Sequence, residues 1–107
     1  SFVLLNEYLS YLDADIVHAQ DGLEALSFVK NNHVDLILMD LKMPNMDGYK
    51  AIPLIKAEKP NIPIIAQTAY AMSGDEEKAI KIGSDDYIRK PIDERVLKTK
   101  VKRHLRI

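Results

Sequence analysis

The stretch Leu36–Asp40, with the sequence LILMD, has four consecutive apolar residues followed by an acid. A run that is apolar on both faces is typical of a strand that lies between two layers of helices. Ile62–Ala66 has the same character and leads into Gln67 and Thr68. These two runs therefore predict buried strands that end at polar side chains.

Helical patterns alternate with short strands on both sides of these two runs. Ile16–Ala19 and Asp86–Arg89 are short and rich in residues that favour strands, so they predict two more strands. Apolar residues at helical spacing predict five helices: Ser1–Leu12, Leu23 to the pair Asn31 and Asn32, Asp47 to about Glu58, Gly74–Gly83 and Ile92–Leu105. This alternation predicts an α/β fold, with a parallel sheet covered by helices on both faces.

Local signals predict where two of these helices begin or end. Asp47 is a suitable N-cap, and Gly83 is a suitable C-terminal cap. Pro53 falls beyond the first turn of the helix that Asp47 begins. Because proline removes a backbone hydrogen bond there, we expect a kink or a late start in that helix.

Composition limits the possible classes of protein. The 107 residues suffice for one domain, expected over 1–107, and the absence of cysteine excludes disulfides and thiolate catalysis. The longest apolar runs have four residues, whereas a membrane span needs about 20, so we expect a cytoplasmic protein with no membrane insertion. The net charge is -1, and the basic segment 89–107 lacks a groove-reading motif, so no contact with nucleic acid is expected. The histidines His18, His33 and His104 are expected at the surface or at helix ends.

Three polar residues follow predicted strands. Asp40, Thr68 and Lys90 should meet at one edge, because ligands of open parallel sheets bind outside the carboxyl ends of the strands. A carboxylate can attack phosphorus to form an acyl phosphate, while a hydroxyl and a cation stabilise the phosphoryl oxygens. These three residues therefore predict a site that accepts a phosphoryl group.

The ordered motifs of the chain resemble those of receiver domains in two-component response regulators. They are LILMDLKMP at 36–44, MDG at 46–48, Thr68-Ala69 and GSDDYIRKP at 83–91. The resemblance covers the whole chain and implies a flavodoxin-like, doubly wound parallel sheet with strand order 2-1-3-4-5. It also implies that the domain takes a phosphoryl group from a phosphohistidine and then changes its surface for a partner.

Site roles follow from this resemblance position by position. Asp40 corresponds to the phosphoacceptor, Thr68 to the hydroxyl that contacts the phosphoryl group, and Lys90 to its charge partner. Thr68 and Tyr87 correspond to the two residues that switch on phosphorylation. The backbone carbonyl of Lys42 would help Asp40 to hold Mg²⁺.

The resemblance also implies a cis peptide bond between Lys90 and Pro91. Members of the family begin with a buried strand whose acidic end binds Mg²⁺, and this sequence shows neither. We therefore expect the chain to begin inside the first helix, with the first strand upstream of Ser1. The sheet would then lack its central strand, between the Ile16–Ala19 and Leu36–Asp40 strands.

Phe2–Leu5 is not expected to form that missing strand. Asn6–Leu12 would be the only crossover, whereas parallel strands need about a dozen connecting residues.

Asp40 and one carbonyl cannot form a strong site for Mg²⁺, which favours six oxygen ligands, so metal binding by this chain is expected to be weak or absent.

The implied partners are a histidine kinase or a histidine phosphotransfer domain, with a second copy of the chain as a further candidate. The domain could be a stand-alone regulator or the C-terminal receiver of a hybrid sensor histidine kinase, and the run AQTAYA at 66–71 favours the hybrid. It is left open whether the chain is an enzyme that catalyses its own phosphorylation and dephosphorylation.

Two alternative functions also stay open. One is a receiver-like binding module without phosphorylation, and the other is an aspartyl-phosphate hydrolase, which Lys42 disfavours because such enzymes carry a second acid there.

Overall fold

The computed structural model describes residues 2–4, 15–19, 22–41, 48–68, 75–89 and 93–105. Its strands are β1 Phe2–Leu4, β2 Ile16–Ala19, β3 Leu36–Asp40, β4 Ile64–Thr68 and β5 Asp86–Arg89. Its helices are α1 Gly22–Asn31, α2 Gly48–Glu58, α3 Asp75–Lys81 and α4 Glu94–Leu105. Among these described helices, none has the length and apolar character that crossing a membrane requires.

The five strands form one sheet in the order β1-β2-β3-β4-β5. The pairs β2–β3, β3–β4 and β4–β5 are parallel, and helices flank these four strands. The predicted α/β class with a flavodoxin-like parallel sheet is therefore confirmed.

The N-terminal part of the sheet differs from the expectation in two respects. Phe2–Leu4 is a strand, so the predicted helix over Ser1–Leu12 is wrong at these residues. This strand is antiparallel to β2 and lies at the sheet edge, with Phe2 opposite Ala19, so it is not a central parallel strand. Only parallel strands need a crossover of about a dozen residues, so an antiparallel neighbour of β2 can follow a shorter connection.

The second difference concerns the expected vacancy in the sheet. β2 and β3 pair directly in parallel, with Val17 opposite Ile37, so no vacant strand position separates them. The physical reason is the cost of leaving backbone N–H and C=O groups unpaired inside a sheet, which direct pairing avoids.

The side chains of β3 point alternately into two apolar cores. Ile37 and Met39 pack with buried residues of α1, α2 and α3 on one face of the sheet. Leu36 and Leu38 pack on the other face with Leu97 and Val101 of α4. These four apolar side chains of β3 are fully buried, as the apolar run predicts. The alternation is that of any strand, in which successive side chains point to opposite faces.

The end of α3 has the hydrogen bonds of a Schellman motif. The Ser84 N–H donates to the carbonyl of Ala79 at 3.0 Å, and the Gly83 N–H donates to the carbonyl of Ile80 at 3.1 Å. Gly83 has a φ of 118°, a backbone conformation that residues with a Cβ atom rarely adopt. The predicted role of Gly83 as a C-terminal cap is confirmed.

Pro53 lies inside α2, which begins at Gly48. The predicted late start of this helix is therefore wrong. Pro53 is exposed, so its ring faces away from the core. The predicted N-cap Asp47 lies outside the described residues.

Candidate functional site

Two of the three predicted site residues are brought to one edge of the sheet by their backbones. Asp40 is the last residue of β3 and Thr68 is the last residue of the neighbouring β4. In the register of this pair, Asp40 lies opposite Gln67, so Thr68 is one residue further along the same edge. β5 ends at Arg89, opposite Thr68, and the chain continues from there to Lys90.

Several predicted positions lie outside the described residues. They are Lys42, Lys90 and Pro91, together with the side chain of Thr68. The charge-partner role of Lys90, the carbonyl role of Lys42 and the cis bond before Pro91 therefore stay predictions.

The backbone around Asp40 is held by the sheet on both sides of the residue. Asp40 itself is half-buried, and Met39 before it and Leu41 after it are buried. The Leu41 N–H donates to the carbonyl of Gln67 at 3.2 Å, which continues the β3–β4 pairing past Asp40. A carboxylate on such a fixed backbone has a defined direction of approach, as a nucleophile requires.

A hydrogen bond that the sequence analysis missed lies close to Asp40. His18 Nε2 of β2 is 2.7 Å from Gln67 Oε1 of β4, and Gln67 is only 5% exposed. The pair spans β3, and its Gln67 end lies opposite Asp40 in the register. The expected surface or helix-end role of His18 is wrong. The alternation of the strand Ile16–Ala19, which puts His18 on the same face as the buried Ile16, is the signal that could have found it.

The other two histidines lie where they were expected. His33 is on the surface, with its side chain 74% exposed and Nε2 2.8 Å from Asp35 Oδ1. His104 lies in the last turn of α4 with Nε2 2.9 Å from Asp86 Oδ2. Both therefore contact carboxylates.

Tyr87, the predicted switch aromatic, lies in β5 opposite Ala66 and is half-buried against the core that contains Ile37. Its ring centroid is 5.2 Å from the Nζ of Lys100 on α4. This distance allows a cation–π interaction. The structure thus gives the predicted switch residue a charged neighbour on the last helix.

Asp86, the residue before Tyr87, collects donors from α4. Its side chain is 11% exposed, and Lys100 Nζ lies 2.8 Å from its Oδ1. Burial alone would raise the pKa of the Asp86 carboxyl, but hydrogen bonds from Lys100, His104 and the Tyr87 N–H outweigh burial and lower that pKa. Arg103 adds a weaker contact at 3.7 Å. Asp86 is consequently held as a carboxylate at neutral pH.

The described residues do not form a magnesium site at Asp40 on their own. Asp40 is the only carboxylate that ends a described strand, and Mg²⁺ prefers near-octahedral oxygen coordination. In the described part of the chain, one group of three potential ligands is close enough to share an ion: Asp15, His33 and Asp35. Asp15 and Asp35 directly precede β2 and β3, so this group lies at the opposite edge of the sheet.

The parallel sheet, the flanking helices and the polar strand ends together define a receiver-type α/β domain. Residues 2–102 match the family described as response regulator receiver domain, and the chain belongs to this family. The resemblance seen in the motifs is thereby confirmed. Domains of this family act in two-component signalling with histidine kinases or phosphotransfer proteins.

Similar proteins include sensor kinases. Sensor protein GacS of Pseudomonas syringae pv. syringae is 36% identical over 102 residues, covering 91% of this chain and 11% of that protein. Hybrid signal transduction histidine kinase I of Dictyostelium discoideum is 43% identical over 103 residues, covering 88% of this chain and 6% of that protein. The chain therefore spans a small part of the length of these relatives.

A solved structure with a similar fold is the receiver domain of sensor histidine kinase PA1611 from Pseudomonas aeruginosa PAO1. It superposes with a TM-score of 0.80 at 32% sequence identity, covering 96% of this chain and 86% of that one. That receiver domain is described with a magnesium ion coordinated in its active-site cleft.

Proposed function

We propose that this chain accepts a phosphoryl group on Asp40 from a phosphohistidine of a histidine kinase or of a histidine phosphotransfer domain. The observation that carries the proposal is the position of Asp40 at the carboxyl end of β3, beside the end of β4 that carries Thr68. Membership of the receiver family supplies the class of reaction.

The chemistry assigned to each residue follows from its functional group. A carboxylate oxygen of Asp40 attacks phosphorus, an acyl phosphate forms, and the bond between phosphorus and the histidine nitrogen of the donor breaks. The Thr68 hydroxyl and the Lys90 ammonium would stabilise the phosphoryl oxygens as their charge develops. Tyr87 would then change its ring position and alter the surface near α4.

We propose a receiver domain over residues 1–107 that works in the cytoplasm. The similarity to GacS and to the Dictyostelium kinase supports a receiver of a hybrid histidine kinase. A second copy of the chain is a further candidate partner.

Phosphorylation of the purified chain tests the assignment. We expect incubation with acetyl phosphate and Mg²⁺ to leave an acid-stable, base-labile phosphate on the chain, and Asp40→Asn to abolish it. Asp35→Asn is the matched control, because Asp35 directly precedes the same strand at its opposite end. Label that survives Asp40→Asn would contradict the proposal, and a wild-type chain without label would favour a binding module that is not phosphorylated.

A further inference from the structure

Lys100 of α4 contacts two consecutive residues of β5 that point to opposite faces of the sheet. Its Nζ is 2.8 Å from Asp86 Oδ1 and 5.2 Å from the centroid of the Tyr87 ring. Asp86 faces α4, whereas Tyr87 packs against the core on the other face. Lys100 can reach both because β5 is the last strand of the described sheet and leaves a side chain room to pass its edge.

The two contacts fix the ammonium group in one place. Lys100 is partly buried, with 20% of its side chain exposed, so the ion pair with Asp86 is screened less than a surface pair. An ammonium held by a carboxylate beside an aromatic ring attracts the negative face of that ring. The position of the Tyr87 ring is therefore linked to α4 through a single side chain.

We propose that Lys100 is a positioning residue that holds the Tyr87 ring in the place seen here and so opposes the ring movement that follows phosphorylation. The inference rests on the proposed function, because it assumes that a phosphoryl group on Asp40 biases Tyr87. Movement of the ring away from Lys100 gives up the cation–π contact while the ion pair with Asp86 remains. Lys100 thereby favours the unphosphorylated arrangement.

Removal of the charge at Lys100 should leave the fold intact. Asp86 keeps the hydrogen bonds from His104 at 2.9 Å and from the Tyr87 N–H at 2.8 Å, so its carboxylate is not left without donors. Lys100→Met keeps an unbranched side chain of similar length without the charge. Lys100→Arg keeps a cation that pairs with carboxylates and stacks on aromatic rings.

The first measurement follows the Tyr87 ring directly. The chain has five tyrosines, so the fluorine NMR signal of Tyr87 in the fluorotyrosine-labelled chain is assigned with Tyr87→Phe. We expect Lys100→Met to shift this signal without any phosphodonor, and Lys100→Arg to keep it near the wild-type position. Lys102→Met, which removes a charge from the exposed side of the same helix, should leave the signal unchanged.

The second measurement is the rate of phosphorylation by acetyl phosphate. Loss of a cation–π contact at a partly exposed site should raise the population of the moved ring, and with it the rate, by about two- to five-fold in Lys100→Met. Lys100→Arg and Lys102→Met should keep the wild-type rate. A purely structural role of Lys100 would lower stability without moving the Tyr87 signal.

Three outcomes would overturn the role of Lys100: an unchanged Tyr87 signal in Lys100→Met, the same signal shift in Lys100→Arg, or the same acceleration in Lys102→Met. A wild-type chain that takes no phosphate on Asp40 would overturn the proposed function instead. The fluorine spectra of the unphosphorylated variants would still decide whether Lys100 holds the ring.

Discussion

At the scale of single residues, the backbone at Gly83 shows how a local constraint fixes the end of a helix. A Cβ added at this position would meet Ile52 Cγ2 and Lys56 Cγ at 3.7 Å, which is ordinary van der Waals contact. Space is therefore available for a side chain. The φ of 118° is the obstacle, because the backbone of any residue other than glycine is strained in this region.

We expect Gly83→Ala to lower the free energy of unfolding by about 1–3 kcal/mol, the usual cost of a strained backbone. Urea unfolding followed by circular dichroism measures this change. Lys81→Ala, at the exposed last residue of α3, is the control and should change stability by less than about 0.5 kcal/mol. An unchanged midpoint in Gly83→Ala would show that the backbone at this position relaxes without cost.

The role of Gly83 could be predicted because its signal is local, whereas the partners of Asp85 could not. Asp85 Oδ2 accepts hydrogen bonds from Lys56 Nζ at 2.6 Å and from the Ile64 N–H at 2.8 Å. These donors lie 29 and 21 residues away in sequence. Spacing carries no information about such a contact, because the fold alone brings α2 and the start of β4 to Asp85.

At the scale of elements, α4 is attached to the sheet by apolar packing and by one cluster of charges. Leu97 and Val101 are buried against β3, β4 and β5, and Asp86 receives donors from the next turns of the same helix. The apolar stripe of α4 is readable in the sequence. The pairing of Asp86 with Lys100 and His104 depends on how the helix crosses β5 and is not readable there.

Asp86 should make the attachment of α4 sensitive to acid. Its pKa is lowered in the folded chain from the ordinary value of 3.8, because donors from Lys100, His104 and the Tyr87 N–H outweigh the opposing effect of burial. A group with a lowered pKa adds stability above its unfolded pKa and loses it as the pH falls through the folded pKa. The stabilisation is thus complete at neutral pH and is lost below pH 3.8.

We expect Asp86→Asn to cost about 1–3 kcal/mol at pH 7, because hydrogen bonds to a charged group are lost. The stability difference from wild type should shrink as the pH falls below 3.8. Urea unfolding at a series of pH values measures this. Glu77→Gln, on the exposed side of α3, is the control, and its stability should depend on pH as that of the wild type does. A difference that stays constant down to pH 2 would contradict the assigned cause.

At the scale of the whole molecule, the order of elements from β2 onwards was readable, whereas the first element and the pairing at the N-terminal edge were not. Apolar runs and turn residues predict β2 to β5 because these signals lie within each element. The three residues of β1 fit an apolar helical stripe as well as a strand, so their pattern alone cannot decide. Pairing of β1 with β2, and of β2 with β3, depends on which backbone groups the fold leaves without partners.

The sequence predicts only those features of the site that follow from the order and direction of the strands. Strand ends predict that Asp40 and Thr68 share an edge, since parallel strands present the same end to the same side. The His18–Gln67 contact crosses an intervening strand, and its formation depends on β2 lying directly beside β3.

The two cores should unfold as one unit, because β3 supplies side chains to both of them. Leu38 belongs to the core under α4, and Ile55 of α2 belongs to the core on the other face. Both side chains are fully buried, so we expect Leu38→Ala and Ile55→Ala each to lower the free energy of unfolding by about 2–5 kcal/mol. Leu23→Ala, at a side chain that is 51% exposed, is the control and should cost much less.

Coincident transitions distinguish one cooperative unit from two. In each variant, we expect urea unfolding followed by far-ultraviolet circular dichroism to coincide with unfolding followed by tyrosine fluorescence. The reason is geometric: a cavity beside Leu38 loosens the same strand that holds Ile37 and Met39 in the other core. Two separate transitions in Leu38→Ala would show that α4 detaches independently. The sheet would then fail to transmit a change on one face to the helices on the other.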